Sequence, residues 1–346
     1  MENISENLLQ VMGAGVASLF LGLMLAPRLI RFLIQHQMWR KKVRTQALGG
    51  GDLPVFTKFH GEGEVHTPRF GGVLVWLIPP AVMLVLGFLT KTQTILPVAV
   101  LLIASFVGFL DDFLQVAEGR FAKLGKHFAG GLEFKYRFTF IAFLGLVVGY
   151  LFVFVLGGGA VHIPGLGYFE IGWWFVPFFA LVMLATYSGG VIDGIDGLAG
   201  GSFALMFSAF GAIAFFEGNT ELAALCAAIV GALLSFLWFN IPPAKFYMGE
   251  AGVMGLTATL TVVAMLTNSI FLIPVIGILL VVESGSVIVQ LVSKKLRRGK
   301  KVFLAAPIHH HFEAKGWAKE QITMRFWIIG IVAVFVGIAI RFLGYG

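Results

Sequence analysis

The sequence has few charged residues and a single cysteine. Only 12% of its 346 residues are charged and 58% are hydrophobic, whereas about a quarter of the residues of a soluble globular protein are charged. This scarcity of charge excludes a soluble fold, which would have nowhere to bury so much apolar surface. The lone Cys226 lies in an apolar run, which excludes a framework of disulfide bonds and indicates a buried thiol.

Apolar runs recur along the whole chain at the length of about 20 residues that a helix needs to cross a bilayer. We predict an all-α polytopic membrane protein, a single integral domain over residues 1–346, with about ten transmembrane helices. The segment 158–173 is rich in Gly and has no Lys or Arg, and it predicts a hairpin or short strands. The predicted spans are 9–34, 70–89, 95–114, 138–157, 173–190, 198–216, 221–240, 251–267, 268–292 and 325–343.

Basic residues are distributed unevenly between the two sides of these spans. They concentrate in the segments 35–69, 112–137 and 293–324, and of the 25 basic residues only Lys91 and Arg341 fall on the other side. The positive-inside rule predicts that the basic side is cytoplasmic and that both termini are extracytoplasmic. The net charge is +7, and its concentration in these basic clusters favours anionic lipid or a polyanionic substrate as partners. We expect no nucleic-acid partner, because no binding motif accompanies the basic clusters.

Four acidic residues lie at the edges of apolar runs. Asp111 and Asp112 close one run, and Asp193 and Asp196 follow another in the glycine-rich sequence GGVIDGIDGLAGG. Ionisable groups at the edge of a hydrocarbon layer are costly, so they mark functional sites more often than scaffolds. Such carboxylates can bind a metal ion or deprotonate a phosphate nucleophile. The alternatives are neutralisation of nearby basic residues and a tight turn with solvated acids.

A third polar segment on the same predicted side has the sequence NIPPAKFYMGEAG. Asn240 offers an amide for hydrogen bonding, and Phe246 or Tyr247 can stack on a nucleotide base. Glu250 precedes an apolar run and is a candidate ligand for Mg²⁺. Taken alone, the segment is an ordinary connection between two helices with a capping acid.

Three successive histidines, His309, His310 and His311, lie in the sequence FLAAPIHHHFEAKGW. Imidazoles bind zinc or donate to phosphate oxygens. Neighbouring side chains point apart, so the motif indicates phosphate contact or a structural role in the loop rather than one tetrahedral zinc site. The alternative is an interfacial loop with solvated histidines. Arg69 and Lys135 are further candidates for phosphate contact, although an interfacial anchor is the simpler interpretation of Lys135.

In this order, the motifs HTPRFGG, GFLDD, DGIDGLAGG, FNIPPAKFYMGE and APIHHHFEAKGW resemble those of the polyprenyl-phosphate N-acetylhexosamine-1-phosphate transferases. Within that superfamily, the APxHHHFExxGW pattern resembles the phospho-N-acetylmuramoyl-pentapeptide transferase family. The resemblance covers nearly the whole chain. It implies ten spans in the bacterial cytoplasmic membrane, an active site at the cytoplasmic face, and association as a homodimer.

The resemblance also implies a reaction. UDP-N-acetylmuramoyl-pentapeptide (UDP-MurNAc-pentapeptide) and undecaprenyl phosphate would give lipid I and UMP in peptidoglycan synthesis, with Mg²⁺ offsetting charge on the diphosphate. One alternative is a related transferase that uses another UDP-N-acetylhexosamine. A second alternative is a lipid binder or transporter without catalytic activity.

Roles for particular residues follow from the same resemblance. The implied catalytic residues are Asp111, Asp112, Asp193 and His309. The implied metal ligands are Asp193 and Glu250, and the implied substrate-binding residues are Asp196, Asn240, Tyr247, His310 and His311. Lys135 is a further substrate-binding candidate from its position in LEFKYRF. The chain departs from the family pattern where Tyr187 and Gly190 replace asparagine-rich sequence and where Glu250 replaces an aspartate.

Overall fold

A computed structural model describes residues 2–40, 65–117 and 131–344, and these residues are almost entirely helical. Two strands, β1 Ala160–Ile163 and β2 Gly167–Glu170, pair antiparallel and confirm the hairpin predicted within 158–173. The helices are α1 Glu2–Gln35, α2 Gly72–Val85, α3 Thr92–Val116, α4 Phe134–Phe154, α5 Phe175–Ser188, α6 Leu198–Phe216, α7 Thr220–Asn240, α8 Gly249–Leu266, α9 Ile273–Ile276, α10 Ile278–Leu296, α11 Ile308–Ala314 and α12 Lys319–Leu343.

The all-α polytopic prediction is confirmed, with two differences in the spans. Within the described ranges, eight helices are long and apolar enough to cross a bilayer. The predicted span 268–292 is not one continuous helix, because the chain bends by 78° at Gly277, whose φ of −96° and ψ of 30° interrupt the helix. Helix α2 is about 21 Å long and is shorter than a hydrocarbon core of about 30 Å.

Helix α8 is the centre of the bundle. All its residues are buried except Glu250 and Leu266, and it packs against α2, α3 and α5. Close approach depends on small residues, as is common between membrane helices. The position of α8 matters for function because its first turn carries Glu250.

Gly108 allows α3 to approach the beginning of α8, and its replacement tests this packing. A Cβ at Gly108 would lie 2.2 Å from the backbone oxygen of Glu250, so in Gly108→Ala the two helices must separate. We expect the free energy of unfolding to fall by about 1–3 kcal/mol, measured as a lower melting temperature of the purified protein. Gly285→Ala on α10 is the matched control, because its added methyl would meet nothing within 4 Å. Equal melting of the two variants would contradict the packing.

The connections form two clusters at opposite ends of the bundle. At one end, the backbone N–H of Tyr247 donates to the carbonyl oxygen of Pro68 at 2.9 Å. At the other end, Lys91 pairs with Glu221 at 2.8 Å and Arg341 pairs with Glu217. The two basic residues predicted to lie away from the basic side therefore lie together at the end opposite to the predicted site.

Candidate active site

Asp111 lies near the end of α3 and its carboxylate is completely buried. One oxygen accepts the backbone N–H of Leu132, and the other accepts the amide of Gln115 at 2.7 Å. Arg137 approaches the same second oxygen at 3.4 Å. These partners come from the same helix, from the first turn of α4 and from Leu132 just before it, so Asp111 joins α3 to α4.

Asp112 is also completely buried, but it points to different partners. Its Oδ1 accepts the Nε–H of Arg69 at 3.2 Å, and its Oδ2 accepts the backbone N–H of Ala251 at 3.0 Å. Adjacent residues on a helix point about 100° apart, which is why the two carboxylates reach different arginines. Each buried negative charge in this pair therefore has a positive partner.

Arg137 connects the acid pair to the beginning of α8. The guanidinium that approaches Asp111 also forms an ion pair with Glu250. The hydroxyl of Tyr187 lies 3.5 Å from the other carboxylate oxygen of Glu250. Glu250 and Tyr187, two of the departures from the family pattern, thus contact each other within the same cluster.

Asp193 lies on the other side of Gly249 from Asp112. Its Oδ2 accepts the backbone N–H of Gly249 at 3.1 Å, and a Cβ on Gly249 would lie 2.3 Å from Oδ2 of Asp112. Gly249 also has a φ of +74°, which favours glycine. This glycine lets the backbone pass between two carboxylates.

Asp193 is exposed at the surface of the site. Protein atoms packed around its carboxyl raise its pKa to about 7, the nearby Asp112 and Glu250 carboxylates act in the same direction, and the Arg69 guanidinium opposes them. Among the acids of the cluster, Asp193 is the most exposed, and the Glu250 side chain is also partly accessible, with 25% of its surface exposed.

Asp196 and Asn240 join the two loops of the site. The carboxylate of Asp196 accepts the backbone N–H of Ala244 at 3.3 Å. The Asn240 side chain accepts the N–H of Gly197 at 2.8 Å and donates to the carbonyl oxygen of Phe246 at 2.9 Å. The buried amide of Asn240 thus joins the two loops through backbone groups, and its contact with the substrate stays a prediction.

The structure separates the two aromatic candidates in this loop. Phe246 is completely buried against Phe236 and Phe239, with ring centroids 5.2 and 6.3 Å away. Tyr247 is only partly buried. A nucleotide base can therefore reach Tyr247 and cannot reach Phe246.

Lys135 lies outside the acid cluster. It is mostly exposed and pairs with Glu133 at 2.8 Å, while Arg137 makes the contacts with the acids. Residues two apart on a helix point about 200° apart, so the two basic side chains of LEFKYRF face opposite directions. The substrate contact of Lys135 stays a prediction, and any such contact would lie outside the acid cluster.

His310 and His311 have structural partners. The Nδ1 of buried His310 lies 2.5 Å from a carboxylate oxygen of Glu313, and the Nδ1 of His311 accepts the backbone N–H of Leu304 at 3.1 Å. Burial lowers the pKa of His311, and the nearby Lys315 charge adds to this. These contacts give both histidines a structural role in the loop, and their contact with phosphate stays a prediction.

His309 is completely buried and faces the loop of Asp193. Its Nδ1 lies 2.8 Å from Glu283, which is also completely buried. Its Nε2 would lie 2.1 Å from a Cβ placed on Gly194. Sequence reasoning missed Glu283, although one signal was present, a single acid inside the apolar run VVESGSVIV.

Oxygen ligands for a divalent cation are present at Asp193 and Glu250. The described residues contain no group of three or more His, Cys, Asp and Glu side chains arranged to hold a metal ion. Mg²⁺ commonly uses only one or two protein carboxylates and completes its shell with water and substrate phosphates. The exposed Asp193 fits that pattern, since its described hydrogen bond from Gly249 occupies Oδ2 alone.

The chain as a whole is similar to known proteins. The model of glycosyl transferase family 4 matches residues 94–268. The phospho-N-acetylmuramoyl-pentapeptide-transferase of Chloroflexus aggregans is 34% identical over 93% of this chain and 89% of its own length. The protein of that name from Rickettsia bellii is 30% identical, with coverages of 94% and 91%, and that from Geobacillus thermodenitrificans is 36% identical, with coverages of 80% and 84%. The chain therefore belongs to the phospho-N-acetylmuramoyl-pentapeptide transferase family.

Proposed function

We propose that this protein transfers phospho-N-acetylmuramoyl-pentapeptide from UDP-MurNAc-pentapeptide to undecaprenyl phosphate, forming lipid I and releasing UMP. One structural observation supports the proposal in addition to family membership. Three segments distant in sequence bring Asp112, Asp193 and Glu250 around Gly249. Carboxylates and arginines in one partly open cluster suit a reaction between two phosphates.

We place this cluster at the cytoplasmic face of a bacterial cytoplasmic membrane. The basic residues Arg40, Arg69 and Arg137 lie beside it, whereas Lys91 and Arg341 lie at the other end of the bundle, and the positive-inside rule gives the direction. The nucleotide substrate would come from the cytosol, and the lipid phosphate would enter from the bilayer. Association as a homodimer is a further prediction, which light scattering of the detergent-solubilised protein tests.

In the proposed reaction, an oxygen of the lipid phosphate attacks the phosphorus attached to the sugar. The new P–O bond forms as the bond to UMP breaks, and UMP leaves with the bonding electron pair. Asp111 or Asp112, whose carboxylates are buried, would accept the proton of the lipid phosphate through a bridging water. Arg69 and Arg137 are held beside these acids and would donate hydrogen bonds to phosphate oxygens.

Asp193 and Glu250 would hold Mg²⁺ in this site. The bound ion would offset negative charge on the diphosphate and on the departing UMP. Tyr247 would stack on the uracil, since its ring is accessible where that of Phe246 is not.

Identification of the lipid product tests the proposed function. Purified protein with undecaprenyl phosphate and Mg²⁺ should convert UDP-MurNAc-pentapeptide to a lipid of the mass of lipid I, with one UMP for each lipid formed. UDP-N-acetylglucosamine should give no lipid product. A product from UDP-N-acetylglucosamine alone would identify a different transferase, and no product from either donor would indicate a lipid binder or transporter.

A further inference from the structure

Glu283 is a buried acid that the proposed reaction does not use. It lies on α10 between apolar residues, and its side chain has no exposed surface. A carboxylate in such a helix is costly unless it is paired. Its described partner is His309, whose Nδ1 lies 2.8 Å from Oε2. The role of this buried acid is therefore to be sought in its contact with His309.

The other side of the His309 ring faces the loop of Asp193. The Nε2 atom is buried and has no hydrogen-bond partner among the described residues. A Cβ on Gly194 would lie only 2.1 Å from Nε2, so only glycine allows the ring to lie this close to the backbone. Gly194 directly follows Asp193, the exposed acid of the site. Glu283, His309 and the loop of Asp193 thus contact one another in series.

We propose that Glu283 is a positioning residue, which fixes the ring of His309 against Gly194 and thereby holds the loop of Asp193 in place. This inference rests on the proposed function. A carboxylate at Nδ1 orients an imidazole and keeps a proton on Nδ1, as the aspartate does in a Ser-His-Asp triad. The ring of His310 supports this arrangement from the side, with its centroid 4.1 Å from that of His309.

The test is a double-mutant cycle on UMP release. We expect Glu283→Ala to lower kcat by about 10–100-fold, the range for loss of a residue that orients a functional histidine, with KM for UDP-MurNAc-pentapeptide changed less than about two-fold. Because Glu283 acts through His309, Glu283→Ala should have no further effect when combined with His309→Ala. Glu283→Gln should recover part of kcat, because its amide oxygen can still accept the Nδ1–H bond.

A matched control lies at the opposite end of the bundle. Glu217 pairs with Arg341 there, so Glu217→Gln also removes the charge of a paired glutamate but should leave kcat unchanged. The inference is overturned if Glu283→Ala and Glu283→Gln both retain the wild-type kcat. It is also overturned if the fold-loss of kcat in the double variant equals the product of the fold-losses in Glu283→Ala and His309→Ala.

Amide hydrogen exchange provides a readout that does not depend on activity. Glu283→Ala and His309→Ala should each speed exchange in residues 193–197, and Glu217→Gln should not. Unchanged exchange in this loop would overturn the inference even if the enzyme proves to use another donor. Faster exchange in a protein that forms no lipid I would instead show that the proposed function is wrong while the positioning role stands.

Discussion

Asp193→Asn is expected to lower the rate of UMP release by about 10²–10⁴-fold, since charge stabilisation by a bound cation contributes several kcal/mol and each 1.36 kcal/mol is a factor of ten. Asp193 is the exposed acid of the cluster, and its described hydrogen bond comes from Gly249. Asparagine keeps an oxygen that can accept this bond but loses the negative charge. The loss should therefore appear in kcat at saturating Mg²⁺, measured as UMP released by the purified variant.

Two comparisons separate this effect from damage to the fold. The melting temperature of Asp193→Asn should stay close to that of the wild type, because the bond to Gly249 remains possible. Asp196→Asn should cost far less activity, since Asp196 accepts a backbone N–H from Ala244 at 3.3 Å and an amide oxygen can accept the same bond. Activity of Asp193→Asn within about three-fold of the wild type, less than 1 kcal/mol of barrier, would contradict its role as metal ligand.

Asp112→Asn is expected to cause the second large loss, about 10²–10⁴-fold in kcat, the usual contribution of a general base. The Asp112 carboxylate has no exposed surface and accepts hydrogen bonds from Arg69 and Ala251. Replacement by an amide removes the proton acceptor and the negative charge that Arg69 contacts at this position. Asp111→Asn should also lose activity, because Asp111 accepts from Gln115 and pairs with Arg137.

Combining Asp112→Asn with Arg69→Ala distinguishes the two ways in which Asp112 can act, as the proton acceptor or as the residue that holds Arg69. If Asp112 accepts the proton, Asp112→Asn should lower kcat strongly in the Arg69→Ala background as well. If Asp112 only holds Arg69, the double variant should be no slower than Arg69→Ala. Steady-state UMP release from the single and double variants measures the difference. Full activity in both Asp111→Asn and Asp112→Asn would contradict the assignment of either acid to activation of the lipid phosphate.

The sequence predicted the main elements of the site because their signal is local. Charged residues at the ends of apolar runs are expensive, so Asp111, Asp112 and Asp193 stand out without knowledge of the fold. Glu250 could be chosen in the same way, because it precedes an apolar run. The structure then brings Asp112, Asp193 and Glu250 together around Gly249.

The partners of the predicted residues depend on tertiary contacts, and the sequence could not supply them. Lys135 and Arg137 are both basic, but the direction of each on α4 decides which one reaches the acids. The amide of Asn240 accepts the N–H of Gly197, 43 residues away in the sequence, and no local pattern reveals this contact. The bend at Gly277 was also missed, because the apolar run continues through it.

Binding of Mn²⁺ as a paramagnetic substitute for Mg²⁺ tests the central claim most directly. The claim is that carboxylates gathered at one end of the helical bundle hold a divalent cation against a diphosphate. Electron paramagnetic resonance of the purified protein with UDP-MurNAc-pentapeptide should show one bound Mn²⁺ per chain in the wild type, with weaker binding in Glu250→Gln and none in Asp193→Asn. Equal Mn²⁺ binding by the wild type and Asp193→Asn would contradict the account.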